Sequence, residues 1–164
     1  DLAIVSEAEP LNGISYRPLF SYEMVGLCAK DHPLAAKDIW QAEDFIDQTL
    51  ITYPVPDDML DLLRKVLHPK GINPTRRTSE LTIAIIQLVA SKRGVAALPF
   101  WAAKPYLDRG YIVARKITDQ GLHSNLYAAF READAQVAFV DDFYETVKAQ
   151  SFSTLPELSV LEEN

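Results

Sequence analysis

Between residues 22 and 117 the chain alternates short β-branched runs with segments of helical periodicity, and no other feature restricts its fold as much. Tyr22 to Lys30 (YEMVGLCAK) reads as an extended run ended by Asp31-His32-Pro33. Residues 41–47 fit a short helix, and Thr49 to Tyr53 a compact strand. The apolar residues Met59, Leu62, Leu63, Val66 and Leu67 fall at i, i+3, i+4, i+7 and i+8. That spacing predicts an amphipathic helix, stopped by His68-Pro69-Lys70-Gly71. A short strand near residues 74–78 leads into a helix over 79–92, which Thr78 or Ser79 can cap and Gly94 stops. A buried strand follows at 95–98, then a brief helix at 101–107 and a strand at 111–117. Strands separated by helices need crossovers, so the pattern predicts an α/β fold with a mostly parallel sheet.

The two ends of the chain lie outside that block. Asp1-Leu-Ala-Ile-Val5 reads as a strand buried on both faces, which belongs between neighbours in a sheet. Since it comes first, the expectation is a chain truncated at its N-terminus. Residues 14–20 and 125–131 read as further strands. Asp134 can cap a final helix with the stripe Val137, Val140, Phe143, Tyr144 and Val147, and a frayed tail is expected from Ser153. These end segments would assemble into a second, smaller lobe, with a ligand cleft at the boundary.

Composition excludes several classes of function. Apolar residues make up 48% and charged residues 24%, an ordinary core-forming balance that excludes wholesale disorder. A net charge of -7 makes the chain a poor binder of nucleic-acid phosphate by itself. The single cysteine, Cys28, rules out a disulfide framework. No apolar run approaches the roughly 18 residues that cross a bilayer, so no membrane partner and a cytoplasmic setting are expected. No nucleophile elbow, phosphate-cradling glycine loop or H-E-x-x-H is present, and His32, His68 and His123 lack metal-ligand spacing. Asp57-Asp58 fits the opening turn of a helix and Asp141-Asp142 the middle of one. The expectation is no enzyme, no metal and no cofactor.

Three loops look like a binding site instead: Ser6-Glu7, Thr52-Tyr53-Pro54-Val55-Pro56, and Thr78-Ser79-Glu80, each after a strand. Ligands of open α/β sheets collect beyond strand C-termini, where helix starts offer backbone donors to anions. The simpler alternative is that Thr78 and Ser79 are helix caps and nothing more.

Two segments carry a family likeness. Val25-Gly-Leu-Cys-Ala-Lys-Asp-His-Pro-Leu-Ala35 resembles the strand and "hydrophobic–x–His-Pro-Leu" turn of the LysR-type transcriptional regulators. Leu88-Val-Ala-Ser-Lys-Arg-Gly-Val-Ala-Ala-Leu-Pro99 resembles their more specific "Val-Ala-x-x-x-Gly" segment ending in proline. The likeness runs from Asp1 to about residue 151. It implies a periplasmic-binding-protein-like α/β fold of two lobes, the second at 23–123. The first lobe, built from 1–22 and 124–152, would be incomplete, and 153–164 would be the tail. It also implies a small-molecule effector, a homo-oligomer, and DNA contact only through a winged helix-turn-helix ahead of this chain. Leu50 to Val55, Ile86 to Ala90, Ala97 to Pro99 and Leu126 to Phe130 look closest to a subgroup that controls methionine biosynthesis, whose implied effector is homocysteine.

The expected effector contacts are Ser6, Glu7, Thr52, Tyr53, Pro54, Thr78, Ser79, Pro99 and Phe100. Glu7 would accept from an ammonium group, and Tyr53 and Phe100 would wall an apolar end. The helix at 79–92 is apolar nearly all round, so Leu81, Ile85 and Leu88 are expected at an interface between copies. Two rival readings share the scaffold: a transport-type solute-binding lobe, and a small-molecule enzyme of the hydroxymethylbilane synthase type. The latter needs a cofactor-bearing cysteine on a loop, and Cys28 lies in a strand.

Overall fold

The computed structural model describes residues 2–6 and 8–161. Their strands are β1 (Leu2–Val5), β2 (Ile14–Cys28), β3 (Ile39–Trp40), β4 (Thr49–Thr52), β5 (Thr75–Thr78), β6 (Ala96–Pro99), β7 (Val113–Ile117) and β8 (Leu122–Arg131). The α-helices are α1 (Thr82–Ala90), α2 (Phe100–Asp108) and α3 (Ala138–Thr154). The chain divides into two compact units, Glu23–Leu122 and Asp1–Tyr22 with His123–Asn164.

In the continuous unit, 23–122, the period-2 alternation of strands places a core on each face of the sheet. Val25 and Leu27 of β2, Ile51 of β4, and Ala96 and Leu98 of β6 pack under α1 and α2 with Ile85, Ile86, Val89 and Ala103. Their neighbours Cys28, Leu50 and Val95 turn the other way, onto Trp40, Phe45, Leu62, Leu63 and Leu67. Gly26 is the position where Trp40 lies on the strand: a Cβ there would stand 2.4 Å from the indole ring.

The sheet is mixed where a mostly parallel one was expected. β3–β7 and β4–β5 are parallel, but β2 runs antiparallel to both β6 and β7. β6 and β7 flank β2 and both oppose it, so they parallel each other and are joined through α2. Helix-strand alternation predicts that parallel relation; it is blind to a strand that arrives from the other unit. The runs expected at 14–20 and 22–30 are one 15-residue strand, since no Gly, Pro or Asn interrupts Phe20-Ser21-Tyr22.

The segment expected as a helix from Met59 breaks into a 3₁₀ turn at Asp57–Met59, a wide π-type turn at Leu62–Leu67 and a second 3₁₀ turn at His68–Lys70. Its apolar positions are buried as the spacing requires, except Met59, which is 65% exposed. Pro69 explains the widening: its ring crowds the carbonyl one turn earlier, and the His68 N–H bonds five residues back to Leu63. Helix α1 begins at Thr82 behind Leu81, with no side-chain cap. Thr78 and Ser79 are not its caps, because Thr78 ends β5 and the Ser79 N–H bonds to the Thr52 carbonyl at 2.9 Å.

In the discontinuous unit, β8 lies between β1 and β2, and β1–β8 is antiparallel. β1 is not buried on both faces: it takes the edge of this order, with Ile4 53% exposed. Helix α3 buries Val140 and Tyr144, leaving Val137 and Phe143 exposed; Val137 precedes it where Asp134 was expected. Asp134 sits instead in a 3₁₀ turn. The tail is tied down, Ser159 exchanging two backbone hydrogen bonds of 2.9 Å with Ser21.

Candidate functional site

Three strands of the 23–122 unit end side by side. β4 pairs in parallel with β5 so that Thr52 stands opposite Thr78. On its other side β4 meets the run into β6: the Ile51 N–H bonds to the Val95 carbonyl at 2.8 Å, and the Val95 N–H to Thr49 at 2.9 Å. Their C-termini share one sheet edge. There the chain forms the Tyr53-Pro54 loop and starts α1 after β5 and α2 after β6. Thr52, Tyr53, Pro54, Thr78, Ser79, Pro99 and Phe100 therefore meet along this edge. Ser6 follows β1 in the other unit, and Glu7 lies outside the described residues, so neither enters this geometry.

Two hydroxyls on the edge, those of Thr52 and Tyr53, are already engaged. Thr52, 8% exposed, donates to the Tyr53 carbonyl at 3.0 Å and accepts from Arg76 Nε at 3.1 Å. The Tyr53 hydroxyl and Thr82 Oγ1 share a 2.6 Å hydrogen bond. Tyr53 and Phe100 both pack against the core under α1 and α2. Neither helix has a side-chain cap, so the backbone donors of both first turns remain for water or a ligand.

Arg76 organises the loop, and residue-by-residue expectation missed it. Its guanidinium donates to Thr52 Oγ1, to the Val55 carbonyl at 3.1 Å, and to Asp57 in an ion pair. The signal was present in Thr75-Arg76-Arg77-Thr78, because alternation in a short strand turns one of two adjacent arginines inward. Beneath the loop is a cavity of about 30 Å³, lined by Met24, Leu50, Thr52, Tyr53, Leu60, Leu62 and Leu63 among others. It has room for a water or for one end of a ligand.

Several of the remaining chemistry-bearing residues have structural partners. His32 Nδ1 accepts from the Leu34 N–H at 3.1 Å, and His68 Nε2 stands 3.6 Å from Asp57. Asp141 pairs with Arg17. Burial pushes the Cys28 thiol up to about 11, which nearby Arg115 only partly offsets. Among the described residues no His, Cys, Asp and Glu group could hold a metal ion. None of their helices is long and apolar enough to cross a membrane. On α1, Leu81 is 63% and Ile83 43% exposed, and Leu88 is half-buried. Ile85, expected at an interface, is fully buried under the helix, because it falls on the stripe shared with Ile86 and Val89.

Residues 1–151 match the family of the LysR substrate binding domain. The chain belongs to that family. MetR of Haemophilus influenzae, an HTH-type transcriptional regulator, is 69% identical over 161 residues, 98% of this chain and 52% of the relative. MetR of Escherichia coli K12 is 36% identical over 156 residues, 95% of this chain and 49% of the relative. The chain thus spans about half the length of the curated relatives it matches. Among solved structures, the regulatory domain of MetR from N. meningitidis, a LysR family regulator, superposes with a TM-score of 0.94 at 64% identity. That match covers 99% of this chain and 75% of the other. The fold of this LysR domain is accordingly the periplasmic-binding-protein-like α/β fold. Its relatives are transcriptional regulators, and it is not an enzyme.

Proposed function

We propose that this LysR domain senses a small zwitterionic effector, homocysteine, on behalf of a regulator of methionine biosynthesis. The observation that supports the reading best is the convergence of the Tyr53 loop with two uncapped helix starts on one sheet edge. A carboxylate suits such a start, because first-turn N–H groups and the helix dipole both favour negative charge. Thr82 and Ser79 are close in sequence to the α1 donors, while Tyr53 and Phe100 offer apolar walls. Pro54 and Pro99 stiffen the turns that present them. Homocysteine, methionine control and a cytoplasmic setting are what the motif resemblance described above implies, and DNA contact through a helix-turn-helix accords with the names of the HTH-type relatives.

In this reading residues 23–123 form the second effector lobe, and 1–22 with 124–152 belong to the first. Copies associate through apolar side chains left open at α1, namely Leu81 at its N-cap, Ile83, and the half-buried Leu88. Operator binding by the intact regulator, followed by fluorescence anisotropy with and without homocysteine, tests the reading. Tyr53→Ala is expected to weaken the homocysteine response at least tenfold and leave effector-free DNA binding unchanged. An unaltered response across substitutions at Tyr53, Thr82 and Phe100 would remove the site.

A further inference from the structure

The carboxyl oxygen Oε1 of Glu23 is buried and has no hydrogen-bond partner among the described residues. An ionised carboxylate only accepts hydrogen bonds, and a buried acceptor left without a donor is unfavourable. Its place in the sheet follows from register. β2 opposes β6 with Met24 facing Pro99, so Glu23, one step further, stands beside Phe100 where α2 begins. Side chains alternate along β2, and Val25 and Leu27 belong to the core under α1 and α2. Glu23 shares their face, the one on which Tyr53 and Phe100 also pack.

We infer that Glu23 is the acceptor for the ammonium group of the effector, and so the residue that selects an amino acid over the matching carboxylic acid. This rests on the effector-site reading above and adds to it the group recognised at the second charged end. Next to Glu23, α2 starts behind Pro99 without a side-chain cap. An acceptor and a set of backbone donors thus adjoin, and the two ends of an α-amino acid need that pair. A ligand carrying only a carboxylate would leave the Glu23 oxygen buried and unanswered, which is how a polar site rejects an analogue lacking one group.

Titration calorimetry on the intact regulator tests this, with homocysteine and 4-mercaptobutanoate, the same molecule without its amine. The wild-type protein is expected to prefer homocysteine, and Glu23→Gln to weaken homocysteine at least tenfold while changing 4-mercaptobutanoate by less than twofold. Equal weakening of both ligands would mean a structural role and overturn the assignment. Unchanged homocysteine binding by Glu23→Gln would overturn it too, leaving the effector site intact. Should Glu23→Gln fail to fold by circular dichroism, Glu23→Asp must show the same ligand-selective loss, and an unselective one refutes the assignment. A wild-type protein that binds neither ligand removes the effector reading and this inference together.

Discussion

Replacing Gly26 with alanine isolates one packing contact whose geometry is severe enough to yield a magnitude. The added Cβ would lie 2.4 Å from Trp40 Cε3, 2.6 Å from Cζ3 and 3.1 Å from Cδ2. Ordinary carbon contacts begin near 3.5 Å, so the indole must retreat by about 1 Å. It has little freedom to do so, because Trp40 is fully buried, its Nε1–H donates to the Leu34 carbonyl at 2.9 Å, and its ring meets Phe45 edge-on at 5.6 Å. Overpacking of this kind costs about 1–3 kcal/mol. Stretching the Nε1–H bond beyond useful length adds about 0.5–1.5 kcal/mol. Gly26→Ala should therefore lose roughly 2–4 kcal/mol in urea unfolding followed by circular dichroism. A double-mutant cycle with Trp40→Leu sharpens the test, since removing the indole also removes the clash. In that background Gly26→Ala should cost at least about 1 kcal/mol less. A loss below about 0.5 kcal/mol, or full additivity with Trp40→Leu, would refute the reasoning.

Arg76→Ala should free the Tyr53 loop and cost about 1–3 kcal/mol, as Thr52, Val55 and Asp57 lose a common donor. Amide exchange across residues 53–57 should rise, and unchanged protection would count against the tether. The Cys28 thiol, pushed from 9.0 to about 11, keeps its proton in the folded chain while the unfolded chain loses it. Below pH 9 both states hold that proton and nothing is lost; between pH 9 and 11 the unfolded state binds fewer protons, so stability falls as pH rises. Cys28→Ala should flatten that part of the urea-stability profile, and an equal slope in both proteins would exclude the thiol. Ile83→Glu on the exposed face of α1 should lower the mass seen by light scattering, and an unchanged mass would place the interface elsewhere.

The sequence made the elements legible where a single period governed them. The spacing of Leu62, Leu63, Val66 and Leu67 correctly marks buried positions, but it cannot show that Pro69 opens the turn. Apolar spacing along α1 locates the helix, yet not its first residue: Thr78 and Ser79 look like caps until β5 and the Thr52 carbonyl engage them. Alternation of helices and strands foretells which strands run parallel through crossovers, and fails for β2, whose partners are distant in sequence. Arg76 and Glu23 went unnoticed for a shared reason. The importance of each depends on what stands across a neighbouring strand, and local spacing does not encode that.

The two units also differ in when the ribosome supplies them. Glu23–Leu122 is one uninterrupted stretch and can close its two cores once residue 122 has emerged. The other unit needs segments from both sides of that stretch, up to the Ser159 pairing with Ser21. At roughly 5–20 residues per second, those last residues follow some seconds later. During that interval β1 and the first half of β2 wait without β8, the strand that lies between them. A synonymous change that slows translation after residue 122 would prolong that exposure without altering a single side chain, and recovery of soluble protein would be expected to fall.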